Sequence, residues 1–374
     1  MLSDPKMQVP FFTFREFPAG LQQRVEEALL TELRKNHLVL GPAVAQFEEE
    51  FGRYLGGGEV IGVGNGYDAL VLCLRALGIG PGHEVVVPAN GYIATINAVQ
   101  QVGAKPVFAE PDPQTYNLTA TSVLPVITPK TKVILPIHLY GQSCELNDLL
   151  DLCQSHDFEL VEDFAQAQGT LYAGQPVGTF GKVNATSFYP TKNLGAVGDG
   201  GAVVTQDAAI AHWVRQYHNY GQSRRYEYAQ AGINSRLDSL QAAVLTVKLV
   251  HLPDFNAERK RLASIYQQAL ADVGDLCLPS TSPAATDHIY HLYVVRTSQR
   301  DALQQFLQEK GIQTLVHYPV PPHLQPAYQH LGYRPGDFPL TEELATTSLS
   351  LPLFPGMTEP EQAYVVEEIT AFFS

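Results

Sequence analysis

The sequence predicts an α/β protein with two domains: a large one built on a mostly parallel mixed sheet flanked by helices, and a smaller C-terminal α+β domain. Short β-rich runs alternate with helix-period stretches between Val60 and Val161, which is typical of strands joined by crossover helices. This alternation stops near Asp254. A chain of 374 residues, 45% of them hydrophobic, can build both cores. The predicted domains are residues 1–252, with the N-terminal helices, and 253–374.

The predicted elements follow in chain order. Two amphipathic helices come first, at 19–37 and 43–55. The large domain then has strand 60–63, helix 68–77, strand 84–87, helix 93–102, strands 106–109 and 132–137, helix 146–155 and strand 158–161. Strands 184–188 and 202–205 complete its sheet. A long helix follows over 237–250, and the helical region is expected to end at Pro253. The smaller domain has helix 257–271, strand 290–296, helix 300–310, a proline-rich passage around 318–326 and helix 359–372.

Composition and charge narrow the function classes. The 24 Lys and Arg against 38 Asp and Glu give a net charge of −14, and no basic run is present, which argues against nucleic acid and anionic membranes as partners. No apolar run approaches the ~20 residues of a membrane span, and no signal peptide is recognisable, so we expect the cytoplasm. No CxxC pair is present, so we expect buried reduced thiols rather than disulfides or a metal site at Cys73, Cys144, Cys153 and Cys277.

Lys192 is the most informative residue because of its surroundings. An arbitrary lysine is usually a solvated surface cation. Here Pro190 restricts the backbone, and glycines let the main chain pass close to a bound group, at Gly195, Gly198, Gly200 and Gly201. A lysine that is partly desolvated in this way loses proton affinity and becomes a nucleophilic amine.

Two polar residues at strand ends precede this lysine. Asp163 follows strand 158–161, where an acid is often only a helix cap. Ahead of Lys192, the same carboxylate could keep a heteroaromatic nitrogen protonated, as pyridoxal phosphate enzymes require. Ser187 ends the next strand and offers a hydroxyl to a phosphate. Such a cofactor is thus one ligand that residues at these strand ends could hold.

A glycine turn and a tyrosine are weaker signals. In the turn Gly64-Asn65-Gly66, backbone N–H groups at a helix N-terminus could cradle a phosphate, although a simple tight turn explains it equally well. The turn satisfies neither GxGxxG nor the P-loop pattern. Tyr92 could stack on a planar ring or could be a core tyrosine.

Together these residues resemble the DegT/DnrJ/EryC1/StrS family of pyridoxal phosphate-dependent sugar aminotransferases, which have the aspartate aminotransferase fold (fold type I). The resemblance spans nearly the whole chain. Its most specific segments are Glu162-Asp163-x-Ala165-Gln166-Ala167, Ser187-Phe188-Tyr189-Pro190-x-Lys192-Asn193-Leu194-Gly195, Gly198-Asp199-Gly200-Gly201, and Gly232-x-Asn234-x-Arg236-Leu237-Asp238 running into Gln241-Ala242-Ala243.

The resemblance implies roles for individual residues. Lys192 would form the Schiff base with pyridoxal 5'-phosphate, and Asp163 would pair with the pyridinium nitrogen. The implied unit is a homodimer with shared active sites, in which Asn234 reaches the phosphate of the neighbouring subunit. The implied cofactor-binding residues are Gly66, Tyr67, Tyr92, Asp163, Gln166, Ser187, Lys192 and Asn234.

Three positions depart from the usual family pattern. Tyr67 stands where a threonine is common, so the contact of the threonine hydroxyl with the phosphate is lost. Gln168 replaces a typical histidine, and Gly91 replaces a typical threonine. None of them is the lysine or the aspartate, so the departures affect cofactor contacts rather than the chemistry.

Other segments resemble the branch of the family that aminates C3 of dTDP-3-oxo-6-deoxyhexoses. They are the turn before Asp68-Ala69-Leu70, His138-Leu139-Tyr140-Gly141-Gln142, His288-x-Tyr290-His291-Leu292 and His317-Tyr318-Pro319-x-Pro321-Pro322-His323. His138 and His291 are more typical of structural histidines than of catalysts. We expect hexose contacts from Tyr189, His317 and Tyr318. Candidates for the pyrophosphate are Tyr220, Arg224, Arg225 and Arg236, although Arg224 and Arg225 could equally be a solvated surface pair.

The predicted reaction is transamination from L-glutamate to this keto sugar, giving dTDP-3-amino-3,6-dideoxyhexose, with pyridoxamine 5'-phosphate as the form between the two halves. A 4-aminotransferase acting on a 4-keto-6-deoxyhexose is the nearest alternative. Dehydratases of the family have histidine in place of Lys192, which argues against that activity. Outside the class remain a nucleotide-sugar oxidoreductase, for which no dinucleotide fingerprint is present, and a non-enzymatic cofactor-binding regulator.

Overall fold

The computed structural model describes residues 7–280 and 285–374. Within these ranges the α-helices are α1 Leu21–Lys35, α2 Pro42–Tyr54, α3 Gly66–Ala76, α4 Ile93–Gln101, α5 Ala120–Val123, α6 Leu146–His156, α7 Ala208–Tyr217, α8 Ser239–Leu249, α9 Leu252–Ala269, α10 Arg300–Glu309, α11 Pro339–Thr347 and α12 Glu359–Phe373. The strands are β1 Glu59–Val63, β2 Glu84–Pro88, β3 Lys105–Ala109, β4 Thr131–Ile134, β5 Glu159–Leu160, β6 Leu171–Tyr172, β7 Gln175–Pro176, β8 Val183–Ser187, β9 Gly201–Thr205, β10 Gln222–Arg224, β11 Glu227–Tyr228, β12 Tyr293–Arg296 and β13 Ser348–Leu351. None of the helices described is long and apolar enough to cross a membrane.

The large sheet consists of two groups of strands joined at Asp163. Strands β3, β2, β4 and β5 are neighbours in that order and are parallel. Strands β8, β9 and β1 are neighbours in the second group, with β9 antiparallel to both others. Asp163, just beyond β5, forms parallel bridges to Ile137 on one side and Ala185 on the other. The result is the mostly parallel mixed sheet that the sequence predicted.

Alternate residues of the central strands face opposite sides of this sheet, as the two-residue period of a strand requires. In β2, Val86 belongs to the core on one side, and Val85 and Val87 belong to the core on the other. Helices α2, α6 and α8 contribute to the first core, whereas α3, α4 and α7 contribute to the second. Because both faces are covered by helices, functional side chains lie at the strand ends and in the loops that follow.

A third core lies in the C-terminal part of the chain. It is formed by α9, α10 and α12 together with the antiparallel pair β12 and β13. Val9 also belongs to this core and bridges Ile312, so the N-terminal segment packs against C-terminal residues. The domain boundary between residues 252 and 253 stays a prediction.

The structure corrects several predicted elements. Pro253 does not end a helical region, because it lies in the first turn of α9, where proline's missing N–H costs nothing. Strand β12 begins at Tyr293 rather than at residue 290, since Tyr290 has a left-handed φ of 50°. The unpredicted elements are helices α5, α7 and α11 and strands β6, β7, β10, β11 and β13. Cys277 is exposed, in contrast to the other three cysteines, because it lies at the edge of the β12–β13 pair, where it bridges Arg296.

Candidate active site

Asp163 lies where the two groups of strands meet, and the residue is only 6% exposed. Oδ2 accepts a 2.8 Å hydrogen bond from Thr95 Oγ1, and Oδ1 accepts one of 3.1 Å from the Ala165 N–H. Burial raises the pKa of Asp163, while these hydrogen bonds and the charge of Lys192 oppose the rise. The carboxylate is therefore held in one orientation, with a cation nearby.

Lys192 lies in the loop between β8 and β9. This loop folds tightly on itself: a Cβ on Gly195 would lie 2.2 Å from the Pro190 carbonyl oxygen, so only glycine fits there. Burial lowers the pKa of Lys192 to about 8, although the Asp163 charge acts in the opposite direction. At pH 7 about a tenth of such an amine is neutral, compared with less than a thousandth of an ordinary lysine. Lys192 is thus a usable nucleophile.

Gly66 and Ser187 form a cradle beside this pair. Gly66 begins α3, whose N-cap Asn65 accepts a 2.8 Å hydrogen bond from the Asp68 N–H through Oδ1. A Cβ on Gly66 would lie 2.5 Å from Ser187 Cβ, so the absence of a side chain keeps the helix N-terminus next to the serine. The positive end of the helix and a hydroxyl together suit an anion such as phosphate.

Gln166 and two tyrosines lie on another side of the site. Gln166 Oε1 accepts a 2.7 Å hydrogen bond from the Tyr140 N–H, and its Nε2 donates to Tyr318 Oη at 3.3 Å. The rings of Tyr92 and Tyr318 are 5.4 Å apart. Burial raises the pKa of Tyr318, so its phenol stays protonated. A fixed amide and aromatic rings thus surround the space near Asp163.

The histidines near Lys192 are neutral. His317 Nδ1 is 2.8 Å from Ser350 Oγ, and burial together with the Lys192 charge lowers its pKa to about 4. Burial, followed by the charge of Lys192, lowers the pKa of His291 well below its usual value. His138 lies deeper: its Nδ1 accepts from the Cys144 N–H at 3.0 Å, so its Nε2 donates to Glu162 at 2.9 Å. Both nitrogens of His138 are thus committed within the core.

A buried polar chain behind Lys192 was not predicted. Asn193 accepts from His291 Nδ1 at 3.0 Å and donates to Asn256 Oδ1 at 2.7 Å, and Asn256 donates to the Gln168 carbonyl at 2.9 Å. Gln168, one of the departures from the family pattern, donates to the Ser187 carbonyl at 2.7 Å. Asn193 could have been suspected as the direct neighbour of Lys192. For Asn256 there was no local signal, because its partners are far away in sequence.

The remaining predicted residues are placed differently. Arg236 donates to Asn219 Oδ1 at 3.1 Å, and its guanidinium lies 5.6 Å from the centre of the Tyr220 ring. Asn234 and Arg224 are exposed, and no contact between the residues described joins either of them to Lys192 or Asp163. The guanidinium of Arg225 stacks on the ring of Tyr226. Tyr67 packs against the second core, and Tyr189 is 53% exposed.

Comparison with known proteins accords with this geometry. Residues 20–370 match the DegT/DnrJ/EryC1/StrS aminotransferase family. A relative from Saccharopolyspora erythraea, named erythromycin biosynthesis sensory transduction protein EryC1, is 46% identical over 98% of this chain and 100% of its own. The dTDP-3-amino-3,6-dideoxy-α-D-galactopyranose transaminase of Aneurinibacillus thermoaerophilus is 42% identical over 97% of this chain and 99% of its own.

A solved structure is similar over nearly the whole length. Streptomyces venezuelae DesV, in complex with a ketimine intermediate, superposes with a TM-score of 0.93 at 43% identity, covering 95% of each chain. The chain belongs to the DegT/DnrJ/EryC1/StrS aminotransferase family. It is a sugar aminotransferase that depends on pyridoxal 5'-phosphate.

Proposed function

We propose that this enzyme transfers the amino group of L-glutamate to C3 of a dTDP-3-oxo-6-deoxyhexose, giving a dTDP-3-amino-3,6-dideoxyhexose. The observation that supports an aminotransferase most directly is that Lys192, with its pKa lowered to about 8, lies within electrostatic reach of the buried Asp163. The choice of C3 is supported by the Aneurinibacillus relative, whose name specifies a 3-amino sugar.

The residues present fit pyridoxal phosphate. The Gly66–Ser187 cradle suits the phosphate, because a side chain at position 66 would fill it. Asp163 suits the ring nitrogen, since its carboxylate is fixed by Thr95 and the Ala165 N–H. Tyr92 and Gln166 would contact the ring and its phenolic oxygen. Lys192 supplies the amine.

When bound, the cofactor supplies an electron sink for the carbon that loses its proton. Asp163 would keep the ring nitrogen protonated, because its negative charge would pair with the protonated nitrogen. Lys192 Nζ would carry the proton from the α-carbon of the amino donor to the cofactor carbon in the first half-reaction, and from that cofactor carbon to C3 of the sugar in the second. An amine with a pKa of about 8 is suited to both roles near neutral pH.

We place the hexose near His317 and Tyr318, with Tyr189 at the rim. His317 is neutral and Tyr318 retains its hydroxyl proton, so both can form hydrogen bonds with sugar hydroxyls without adding charge. Tyr189 is exposed, as a residue at the entrance to the site should be.

Asn234, Tyr220, Arg224 and Arg236 would complete the site of a second subunit. They lie apart from Lys192 in their own chain, and their side chains are at least partly exposed. In a homodimer such a surface can reach the partner's phosphate and the pyrophosphate of the nucleotide. Arginines supply the local positive charge that a chain of net charge −14 otherwise lacks.

The test offers the purified enzyme dTDP-3-keto and dTDP-4-keto 6-deoxyhexoses with L-glutamate and identifies the aminated carbon in each product. We expect amination at C3, and none with Lys192→Ala. Amination at C4 would instead establish the 4-aminotransferase alternative. A regulator, as the name of the EryC1 relative suggests, would bind cofactor but would not convert L-glutamate to 2-oxoglutarate.

A further inference from the structure

Arg259 is a buried cation near the active site that has no role in the proposed transamination as described so far. It lies on α9 and is only 3% exposed. No salt bridge to an acidic side chain is found for it within residues 7–280 and 285–374. Burial lowers the pKa of Arg259 to about 10, which still leaves the guanidinium charged at neutral pH. A buried charge without a counterion lowers the free energy of unfolding.

The hydrogen bonds of Arg259 use one nitrogen only. Nη1 donates to the carbonyl oxygens of Tyr290, His291 and Leu353 at 3.1 to 3.2 Å. Nε is buried without any acceptor, and in the part of the chain that the structure describes no hydrogen bond is found for Nη2. Nε and Nη2 form the edge of a guanidinium that receives a carboxylate through two parallel hydrogen bonds. That edge of Arg259 is the one left without partners.

Arg259 also lines a cavity of about 700 Å³. Its other polar lining residues are Gln8, Thr191, His291, Gln304, Gln308, Gln313, Thr314 and His317. Among the residues described there, none is acidic and none other than Arg259 is Lys or Arg, while both histidines are neutral. Among the lining residues described, Arg259 is therefore the single positive charge, and it faces a cavity of mixed polar and apolar lining in a strongly acidic protein.

This cavity adjoins the reactive lysine. Thr191, next to Lys192 in the chain, lines it. A second cavity of about 530 Å³ is lined by Lys192 itself, and both Arg259 and Phe12 line the two cavities. After burial, the charges of Lys192 and Arg259 both lower the pKa of His291, which places the two cations around one imidazole. A small ligand held on Arg259 is thus close to the reacting amine.

We propose that the 700 Å³ cavity is the amino-donor site and that Arg259 binds one carboxylate of L-glutamate through Nε and Nη2. This inference rests on the proposed function. The donor carries a carboxylate that the keto sugar lacks, so a cation set apart from the sugar contacts lets one active site accept both substrates in turn. The same carboxylate supplies the missing counterion of Arg259.

The test separates the two half-reactions by single-turnover kinetics on the holoenzyme. In the first, L-glutamate bleaches the cofactor absorbance. In the second, the pyridoxamine form reacts with whichever keto sugar the wild type accepts. Two variants change Arg259: Arg259→Lys keeps the charge but loses the two parallel donors of the guanidinium, and Arg259→Gln loses the charge as well. The control is Arg261→Gln, because Arg261 is an exposed residue of α9 that pairs with Glu258.

For Arg259→Lys we expect the L-glutamate concentration at half-maximal rate to rise about 10- to 100-fold, with the sugar half-reaction changed less than twofold. Arg261→Gln should match the wild type in both. An unchanged dependence on L-glutamate, or an equal loss in both half-reactions, would show that Arg259 only supports the backbone and would overturn the proposal. So would a wild type that L-glutamate does not bleach.

Protein stability provides a second readout if Arg259→Gln folds poorly. Glutarate, a dicarboxylate without an amine, should raise the melting temperature of wild type and Arg261→Gln but not of Arg259→Lys. Equal shifts in all three would contradict the proposal. A wild type that L-glutamate bleaches but that does not aminate C3 would refute the proposed substrate and leave the role of Arg259 intact.

Discussion

Thr95 Oγ1 donates a 2.8 Å hydrogen bond to Asp163 Oδ2 across 68 residues of sequence, and both side chains are buried. Thr95 lies in the first turns of α4, whereas Asp163 lies where the two groups of strands in the sheet join. The threonine thereby fixes the carboxylate and favours its ionised form.

Thr95→Val should lower kcat about tenfold, because Asp163 loses a hydrogen bond that favours its charged form. The pKa of Asp163 should rise, so the acid limb of the pH profile of kcat should move to higher pH. Thr95→Ser should restore both. The control Thr370→Val removes an exposed helix hydroxyl and should change neither. A loss of activity with an unshifted profile would contradict this role.

The lowered pKa of Lys192 predicts how the apoenzyme captures pyridoxal phosphate. Below pH 8 the amine is mostly protonated and cannot attack, and above pH 8 it is mostly neutral, so the capture rate should rise with pH, with its midpoint near pH 8, and level off about one pH unit higher. Stopped-flow absorbance measures this rate. Asp163→Asn should move the midpoint to lower pH, because the Asp163 charge raises the pKa of Lys192. An unmoved midpoint would mean that the two groups are not coupled.

Lys192→Ala should lower the rate of transamination by at least about 10²- to 10⁴-fold, because the proton carrier is lost. It should also lose the visible absorbance band of the protein-bound cofactor. Lys182 is a suitable control, since it is a partly exposed lysine paired with Glu159 at 2.8 Å. Lys182→Ala should keep both the band and the activity. Substantial turnover by Lys192→Ala would refute the assignment of this lysine.

Gly66→Ala should weaken cofactor binding about 10- to 100-fold, because its Cβ would lie 2.5 Å from Ser187 Cβ and push the cradle open. Equilibrium titration of the apoenzyme with pyridoxal phosphate measures this affinity. Gly80→Ala is the matched control, since the nearest atom to its Cβ would be the Val102 carbonyl oxygen at 3.7 Å. If both variants bound the cofactor like the wild type, position 66 would not border the phosphate.

The proposed sharing of active sites between subunits predicts complementation. Asn234→Asp would place a negative charge near the partner's phosphate and should be inactive, as should Lys192→Ala. Mixed dimers carry both lesions in one site and none in the other, so co-refolding equal amounts should restore about a quarter of wild-type activity. A mixture that stays inactive would place Asn234 in the site of its own chain. Each variant refolded alone provides the background activity.

The sequence by itself indicated the candidate residues whose proposed role depends on neighbours along the chain. Lys192 could be identified because Pro190 and the surrounding glycines lie beside it in the sequence. Asp163 and Ser187 could be assigned to one site because the carboxyl ends of parallel strands meet at the same edge of a sheet. The strands of the large sheet and most helices were also predictable, since hydrophobic periodicity is local.

Only the tertiary structure decided which distant residues support them. Thr95 meets Asp163, and Asn256 joins the chain behind Lys192, through contacts that no local pattern encodes. Arg259 reads as an ordinary helix residue in the sequence. Its burial against three carbonyl groups, with one edge left unpaired beside a cavity, arises from packing of segments up to 94 residues apart. Hydrogen bonds of that kind depend on where the elements pack, and local propensity does not specify that.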